Sequence, residues 1–229
     1  TLFPYTTLFR SYNTKINVMR SGKVILLKPT YNGDPSIIEV GVDEAGRGAL
    51  AGPVTVAACI MPADFQHELI RDSKLLSEGQ RAEARQIVLD NAIAWAVRHV
   101  DIADIEYLNI LGATLKGMDM TLLEVSQKVE FNFITVDGDQ FHGFQGVPFE
   151  TIVGGDNKYI NIAAASILAK TERDMLMKEM SEEYPEYGWG SNKGYGSAQH
   201  RNAIKNIGIC EHHRPSFVSH MTTTTASLF

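Results

Sequence analysis

Three short apolar runs in this chain each end on acids. Ile37, Ile38, Val40 and Val42 lead to Asp43-Glu44, Phe133 to Val136 leads to Asp137, and Phe149 to Val153 leads through two glycines to Asp156. A carboxylate at a strand end stands at the edge of a sheet, and one such placement is common. Three in one small sheet imply convergence on a shared site. Crowded carboxylates repel unless a proton or a cation intervenes. The donor set is all oxygen, and no Cys/His cluster has zinc spacing, so the fitting cation is hard: Mg²⁺ or Mn²⁺. Two such ions roughly 3.5–4 Å apart can activate a water and stabilise the leaving oxygen of a phosphodiester. Gly46-Arg47-Gly48 follows the first acid pair at once. Its glycines let the backbone come close to a phosphate or sugar, and its arginine brings a planar cation.

Other acids compete less well. Glu172 and Asp174 lie among basic residues on a long helix pattern, where acids are usually solvated, and Asp139 trails Asp137 by two positions. His212-His213 are adjacent, and their side chains point apart on most backbones. They read as phosphate or packing contacts before metal ligands.

The elements that must carry these residues follow from periodicity. Strands are expected at Ile37–Val42, Val54–Met61, Ala94–Val100, Phe133–Val136 and Phe149–Val153. Ser77-Glu78-Gly79-Gln80 is a capping box that opens a helix to about Ala92. A second helix is expected from Asn109 to Lys128, with Leu111, Leu115, Met118, Leu122, Val125 and Val129 spaced by three and four. A third opens near Tyr159-Ile160-Asn161, is alanine-rich, and ends at Tyr184-Pro185. A Gly/Asn-rich loop, Gly188 to Gly196, precedes a last helix from Ser197 to Asn206. The pattern is that of one α/β domain: a central mixed five-stranded sheet flanked by helices, with a helical C-terminal segment. Its expected bounds are 37–217. Residues 1–36 read as a leader, with Thr1 to Ser11 non-native or disordered and Lys23–Leu27 a short edge strand, so that loss of the chain up to about Thr30 is expected to be tolerated. Residues 218–229 read as a tail.

A chain of 229 residues, 44% hydrophobic, can bury a sizeable core as one domain. No apolar run approaches the ~20 residues of a membrane span. The two cysteines, Cys59 in an apolar run and Cys210, make no disulfide framework, which fits a reducing, cytoplasmic compartment and a monomer. Net charge is −6, against a nucleic-acid partner if taken alone. Its distribution says otherwise: from Gly188 to Phe217, Lys193, Arg201, Lys205 and Arg214 face a single acid, Glu211. The segment is either a phosphate track or a solvated helix face.

Several blocks recur in one order: Gly41-Val42-Asp43-Glu44-Ala45-Gly46-Arg47-Gly48, Asp72-Ser73-Lys74-Leu75-Leu76-Ser77, Asn109-Ile110-Leu111, Val136-Asp137-Gly138, Ala163 to Lys170, Lys193-Gly194-Tyr195 and His212-His213-Arg214. Together, over Ile37 to Phe217, they resemble ribonuclease HII, the type 2 ribonuclease H family. The resemblance implies a ribonuclease-H-like fold and a two-metal Mg²⁺ or Mn²⁺ site on Asp43, Glu44, Asp137 and Asp156. It implies hydrolysis of RNA in RNA–DNA hybrids and of ribonucleotides embedded in duplex DNA, in replication and repair, leaving a 5′-phosphate and a 3′-hydroxyl. It assigns Gly46, Arg47, Gly48 and Tyr195 to the ribose 2′-hydroxyl. Lys74 touches a phosphate or is solvated. Ser166 and Lys170, at i and i+4, contact phosphate or brace the site. Asn109 bonds a phosphate or caps its helix, and Lys193 and Arg214 belong to the basic segment. The chain departs from the family pattern at Gly155, Gly196 and Asp139, which would loosen the Asp156 turn and the Tyr195 loop. Rival readings are a sister ribonuclease H type that prefers long RNA stretches and a non-catalytic hybrid-binding protein. A sliding-clamp-type partner is not readable from the sequence.

Overall fold

The computed structural model describes residues 26–34 and 36–222. Residues 1–11, and all but Leu26 and Leu27 of the expected Lys23–Leu27 strand, lie outside them.

Five strands form one mixed sheet: β1 Glu39–Ala45, β2 Val54–Ile60, β3 Ala94–Val100, β4 Phe133–Asp137 and β5 Phe149–Ile152. Their order is β3-β2-β1-β4-β5. β1, β2 and β3 run antiparallel in sequence, while β4 pairs parallel to β1 and β5 parallel to β4. The sheet is fully buried in its centre, so its side chains sort by strand alternation. In β2, Val56, Ala58 and Ile60 meet Met118, Leu122 and Val125 of helix α2 (Ile102–Ser126). Ala57 and Cys59 meet helix α3 (Ile160–Glu183) and helix α1 (Glu78–Asn91) on the other face. The result is three layers, helix on sheet on helix.

α3 comes unusually close to β1. Ala163, Ala164, Ala165 and Ala169 are all fully buried. Asn161 staples the approach: its Oδ1 accepts from Met61 N at 2.8 Å and its Nδ2 donates to the Glu39 carbonyl at 3.0 Å. A Cβ on Gly41 would lie 2.2 Å from the Asn161 carbonyl carbon. Only glycine fits between strand and helix there.

The structure revises several expected bounds. β1 continues to Ala45 because Asp43, Glu44 and Ala45 pair with Ala57, Val56 and Thr55, so both acids sit inside the strand. α2 starts at Ile102, capped by the Asp101 carboxylate. It breaks at Asn109 (φ 60°, ψ 172°), whose Oδ1 accepts from Leu111 N at 2.9 Å and Gly112 N at 3.2 Å. The helix expected from Asn109 is thus the second segment of a longer one. The capping box at Ser77 and Gln80 forms as expected. After α4 (Trp189–Asn192) and α5 (Ala198–Ile207), a helix with no side-chain cap signal, α6 (Pro215–Thr222), crosses the expected boundary at 217. Val218 on it is buried against Trp189 and Ile204. At the other end, Leu27 is part of the α3 core, and Lys28 exchanges hydrogen bonds with Lys158 O (2.9 Å) and Ile160 N (3.0 Å). Leu26 and Leu27 form no strand; the ladder contact is the bridge between Lys28 and Tyr159. The described end of the leader is part of the folded body, so a cut at Thr30 removes core. No helix among the described residues is long and apolar enough to cross a membrane.

Candidate active site

β1 and β4 run parallel side by side, so their carboxyl ends present Asp43, Glu44 and Asp137 together. A cleft of about 450 Å³ opens there, walled by these three acids, the Gly46-Arg47-Gly48 turn, Ser73, Lys74, Ser166, Lys170 and Tyr195. Asp43 is buried; its Oδ1 accepts from Glu44 N at 2.7 Å. Burial, and then the charges of Glu44 and Asp137, hold its carboxyl well above the usual range, against a hydrogen bond from Ser166. Glu44 is pushed up by burial and pulled back by Arg47, whose Nη1 lies 3.3 Å from Oε1. Asp137 Oδ1 accepts from Gly155 N at 2.7 Å, which fixes the turn carrying Asp156.

Asp156 is only 1% exposed and is not part of the cleft wall. Its Oδ2 lies 3.3 Å from Lys74 Nζ, which also approaches Asp72 at 3.9 Å. Burial and Asp137 raise its carboxyl, and Lys74 lowers it. Lys74 is a mostly exposed side chain on the cleft wall whose Nζ also reaches the buried fourth acid. Among the described residues no three His, Cys, Asp or Glu side chains make a ready-made metal cage. The donors nonetheless suit a hard dication that keeps several waters and takes only one or two carboxylates directly, the manner of Mg²⁺. Asp43, Glu44 and Asp156 are all held up by burial and by the charge of Asp137, which a cation bound beside them would offset.

The competing acids are accounted for. Glu172 accepts from Arg85 Nε at 3.0 Å, Asp174 pairs with Lys170 at 2.5 Å, and Asp139 is exposed outside the cleft wall. Ser166 Oγ lies 3.2 Å from Ser73 Oγ, so it braces the Ser73-Lys74 turn as well as Asp43.

The opposite wall holds Tyr195, 40% exposed, and the Gly46 turn. Both rest on Arg173. Its buried guanidinium donates to Pro53 O (2.9 Å), Lys193 O (2.8 Å) and Ala51 O (3.1 Å) and lies 5.5 Å from the Tyr195 ring centre. A Cβ on Gly46 (φ 94°) would lie 2.0 Å from Arg173 Nε, so the glycine is obligatory. Gly48 has open space on that side. Arg214, expected on phosphates, is fully buried. It donates to Gly52 O and Arg47 O at 2.9 Å and so supports the turn from beneath. Lys193 reaches Gly190 O, and Asn109 caps its helix; neither lines the cleft. His213 is buried against His200 and Tyr187, a packing role, while His212 packs edge-on to Tyr184. Nor are the departures loose: Gly155 is buried, and Gly196 O accepts from Arg201.

Sequence reasoning missed Arg173 and His200. Arg173 carries no motif of its own, and His200 lies within the basic Gly188–Phe217 stretch. The signal available was spacing: Lys170 and Arg173 share a face of the alanine-rich helix, and His200 follows an N-cap serine by three.

The chain matches the family model described as Ribonuclease HII over residues 40–221. It is 47% identical over 192 residues to the Ribonuclease HII of Phocaeicola vulgatus, covering 84% of this chain and 94% of that protein. Among solved structures it superposes on the RNase HII of Archaeoglobus fulgidus, determined as a PCNA complex, with a TM-score of 0.63 at 23% identity over 78% of this chain and 94% of that one. Against Bst-RNase HIII in complex with Mn²⁺ the TM-score is 0.60 at 20% identity, over 76% of this chain and 63% of that one. At such identities the likeness is one of fold.

Proposed function

The chain belongs to the ribonuclease HII family and is a ribonuclease H, an endonuclease; from that premise we propose that it cuts RNA in RNA–DNA hybrids and 5′ of ribonucleotides embedded in duplex DNA. The observation that carries this reading is the shared cleft: three acids on one wall, and on the other a turn and a tyrosine suited to a sugar. A 2′-hydroxyl is both donor and acceptor, and only a closely approaching backbone can test it. Gly46, which lets the turn lie down on Arg173, and Gly48, which has open space where a Cβ would stand, permit that approach, and the Tyr195 ring packs on the neighbouring sugar. Asp43, Glu44 and Asp137 would hold Mg²⁺ or Mn²⁺, with Asp156 behind them. The bound ions would supply activation of water and stabilisation of the leaving 3′-oxygen. The products are a 5′-phosphate and a 3′-hydroxyl. The chain's own part is to hold the strand in register, with Lys170 and Ser166 beside the acids and Arg47 tethered to Glu44. Cytoplasmic residence and a sliding-clamp-type partner, in line with the PCNA complex of the Archaeoglobus fulgidus protein, complete the reading. Co-elution with such a clamp on gel filtration tests the partner.

Single-turnover cleavage of three duplexes tests the function: one ribonucleotide in DNA, a continuous hybrid, and all DNA, each with Mg²⁺ or with chelator. Cutting of the first two in Mg²⁺ alone, with the third untouched, is expected. Hybrid cleavage without single-ribonucleotide cleavage would favour the sister type, and binding without cleavage a silent binder. Tyr195→Phe should keep most of the activity and Tyr195→Ala should lose most of it, since the ring is the contacting group. Full activity in Tyr195→Ala ends the ribose-reading model.

A further inference from the structure

Behind the Tyr195 loop lies a buried polar chain that the reaction does not use. His200 and His213 are both almost inaccessible, packed with Trp189 and Tyr187. His200 Nδ1 lies 3.0 Å from the Tyr195 carbonyl. That oxygen can only accept, so Nδ1 carries the proton. His200 Nε2 receives the Trp189 indole N–H at 3.0 Å, and an indole can only donate, so Nε2 is bare. His213 Nε2 stands 3.1 Å from that same bare nitrogen and must therefore donate to it. His213 Nδ1 in turn accepts from Cys210 N at 3.1 Å. One arrangement of protons satisfies every contact: both rings neutral, with His200 protonated on Nδ1 and His213 on Nε2. Burial holds both rings below the ordinary histidine range, consistent with that assignment.

We propose that His200 is a positioning residue for ribose recognition: its Nδ1–H, locked in that tautomer by Trp189 and His213, fixes the Tyr195 backbone and thereby the place of the ring. This rests on the reading of Tyr195 as the sugar contact. The loop is tied on both sides of the ring. Gly194 O accepts from Leu50 N at 2.8 Å and Tyr195 N donates to Asn192 O at 2.9 Å, while the Tyr195 carbonyl is shared by Ser197 N at 2.8 Å and His200 Nδ1 at 3.0 Å, the one side-chain donor on it among the described residues. His200 grips it from the first turn of α5, where the Ser197 hydroxyl accepts from His200 N at 3.1 Å. Arg201 beside it holds the Gly196 carbonyl. A loosely held ring loses the register with the acids on the opposite wall, and small misplacements there cost rate.

The tautomer is measurable in the unaltered protein. Nitrogen NMR of the histidine rings at neutral pH should show His200 protonated on Nδ1 and bare on Nε2. A proton on Nε2 instead overturns the proposal. Function is tested with two isosteres. His200→Asn keeps an amide N–H where Nδ1 stands, whereas His200→Gln places its amide near Nε2 and leaves the Tyr195 carbonyl with Ser197 N, at 2.8 Å, as its one remaining donor among the described residues. Single-turnover cleavage of the single-ribonucleotide duplex should fall roughly tenfold in His200→Gln and much less in His200→Asn, the scale of one lost hydrogen bond. In a Tyr195→Ala background the His200→Gln effect should vanish. Equal losses in both isosteres, or a His200→Gln loss that persists without the tyrosine ring, overturn the proposal while leaving the ribose reading intact. Tyr195→Ala that cuts at the parent rate takes down the ribose reading and this inference with it.

Discussion

The two walls of the cleft are held in opposite ways. On one, Asp43, Glu44 and Asp137 stand on adjacent strands, and the charge of Asp137 adds to burial in holding the Asp43 and Glu44 carboxyls up. On the other, Arg173 and Arg214 are more deeply buried, and among the described residues neither is in an ion pair, Asp174 and Glu106 acting on them only from a distance. Arg173 is satisfied by three backbone carbonyls and Arg214 by two, with Arg214 Nη2 left without a hydrogen-bond partner among the described residues. Charge on the first wall is left facing the cleft. On the second it is consumed internally, tying together loops distant in sequence. The contrast teaches that burial of charge does not by itself mark chemistry. What matters is whether the partners are fixed backbone or absent.

The largest test removes one acid. Asp43→Asn should bring cleavage to background while hybrid binding survives, because it deletes a donor at the heart of the acid wall. In chelator the same change should raise Tm, since it relieves a desolvated, repelled carboxylate. Substantial turnover by Asp43→Asn in Mg²⁺, or a lower Tm in chelator, would break the contrast from the acid side.

Next comes the cation side. Arg214→Met strands the Gly52 and Arg47 carbonyls and should cost on the order of 1–3 kcal/mol, a Tm drop of several degrees for a chain of this size. Lys205→Ala on the exposed face of α5 should be close to neutral. Equal Tm values for the two variants would mean that Arg214 is no brace.

A smaller effect concerns pH. Burial, and then His200, hold His213 down to about 4 from an ordinary 6.5. A folded-state value below the unfolded one means that the unfolded chain binds the extra proton in between. Stability from this ring is therefore complete above about 6.5 and is lost as pH falls towards about 4. The Tm of the parent should drop relative to His213→Gln across that window and run parallel above it. A constant difference throughout would show the ring to be charged in the fold.

The smallest effect is on salt. If Lys205 and Arg201 track phosphates, their joint change to Ala should flatten the log-log dependence of duplex binding by about 0.9 per lost contact. An unchanged slope returns α5 to a solvated face.

How legible each wall was follows from the same contrast. That Asp43, Glu44 and Asp137 meet at one end of the sheet was legible because strand patterns and adjacent glycines are local signals, and the five strands came with them; Asp156, at the turn after β5, lies behind the cleft wall. The capping box at Ser77 was equally local and formed as read. Arg214 could not be read correctly, because its partners are carbonyls at Gly52 and Arg47, 162 and 167 positions away. A carbonyl is present at every residue and leaves no mark in a sequence. The same blindness hid Arg173 under Gly46 and placed Lys193 on phosphates rather than at a helix end. α6 was missed because the carboxylate at its start comes from a distance, Glu106 accepting from Ser216 N at 3.1 Å, and the Asn109 break because its hydrogen bonds imitate a helix start inside a helix.

Gly41 touches nothing in the cleft, yet it sets how forgiving the molecule is to mutation. The atoms that crowd it are all backbone, so no rotamer change can make room for even an alanine. The smallest substitution must pry α3 from the strand, and the acids of β1 and the Asp156 turn move apart with it. A library of random variants scored for lost activity would therefore flag Gly41 alongside the acids themselves. A map built only from distance to the substrate would wrongly call it dispensable.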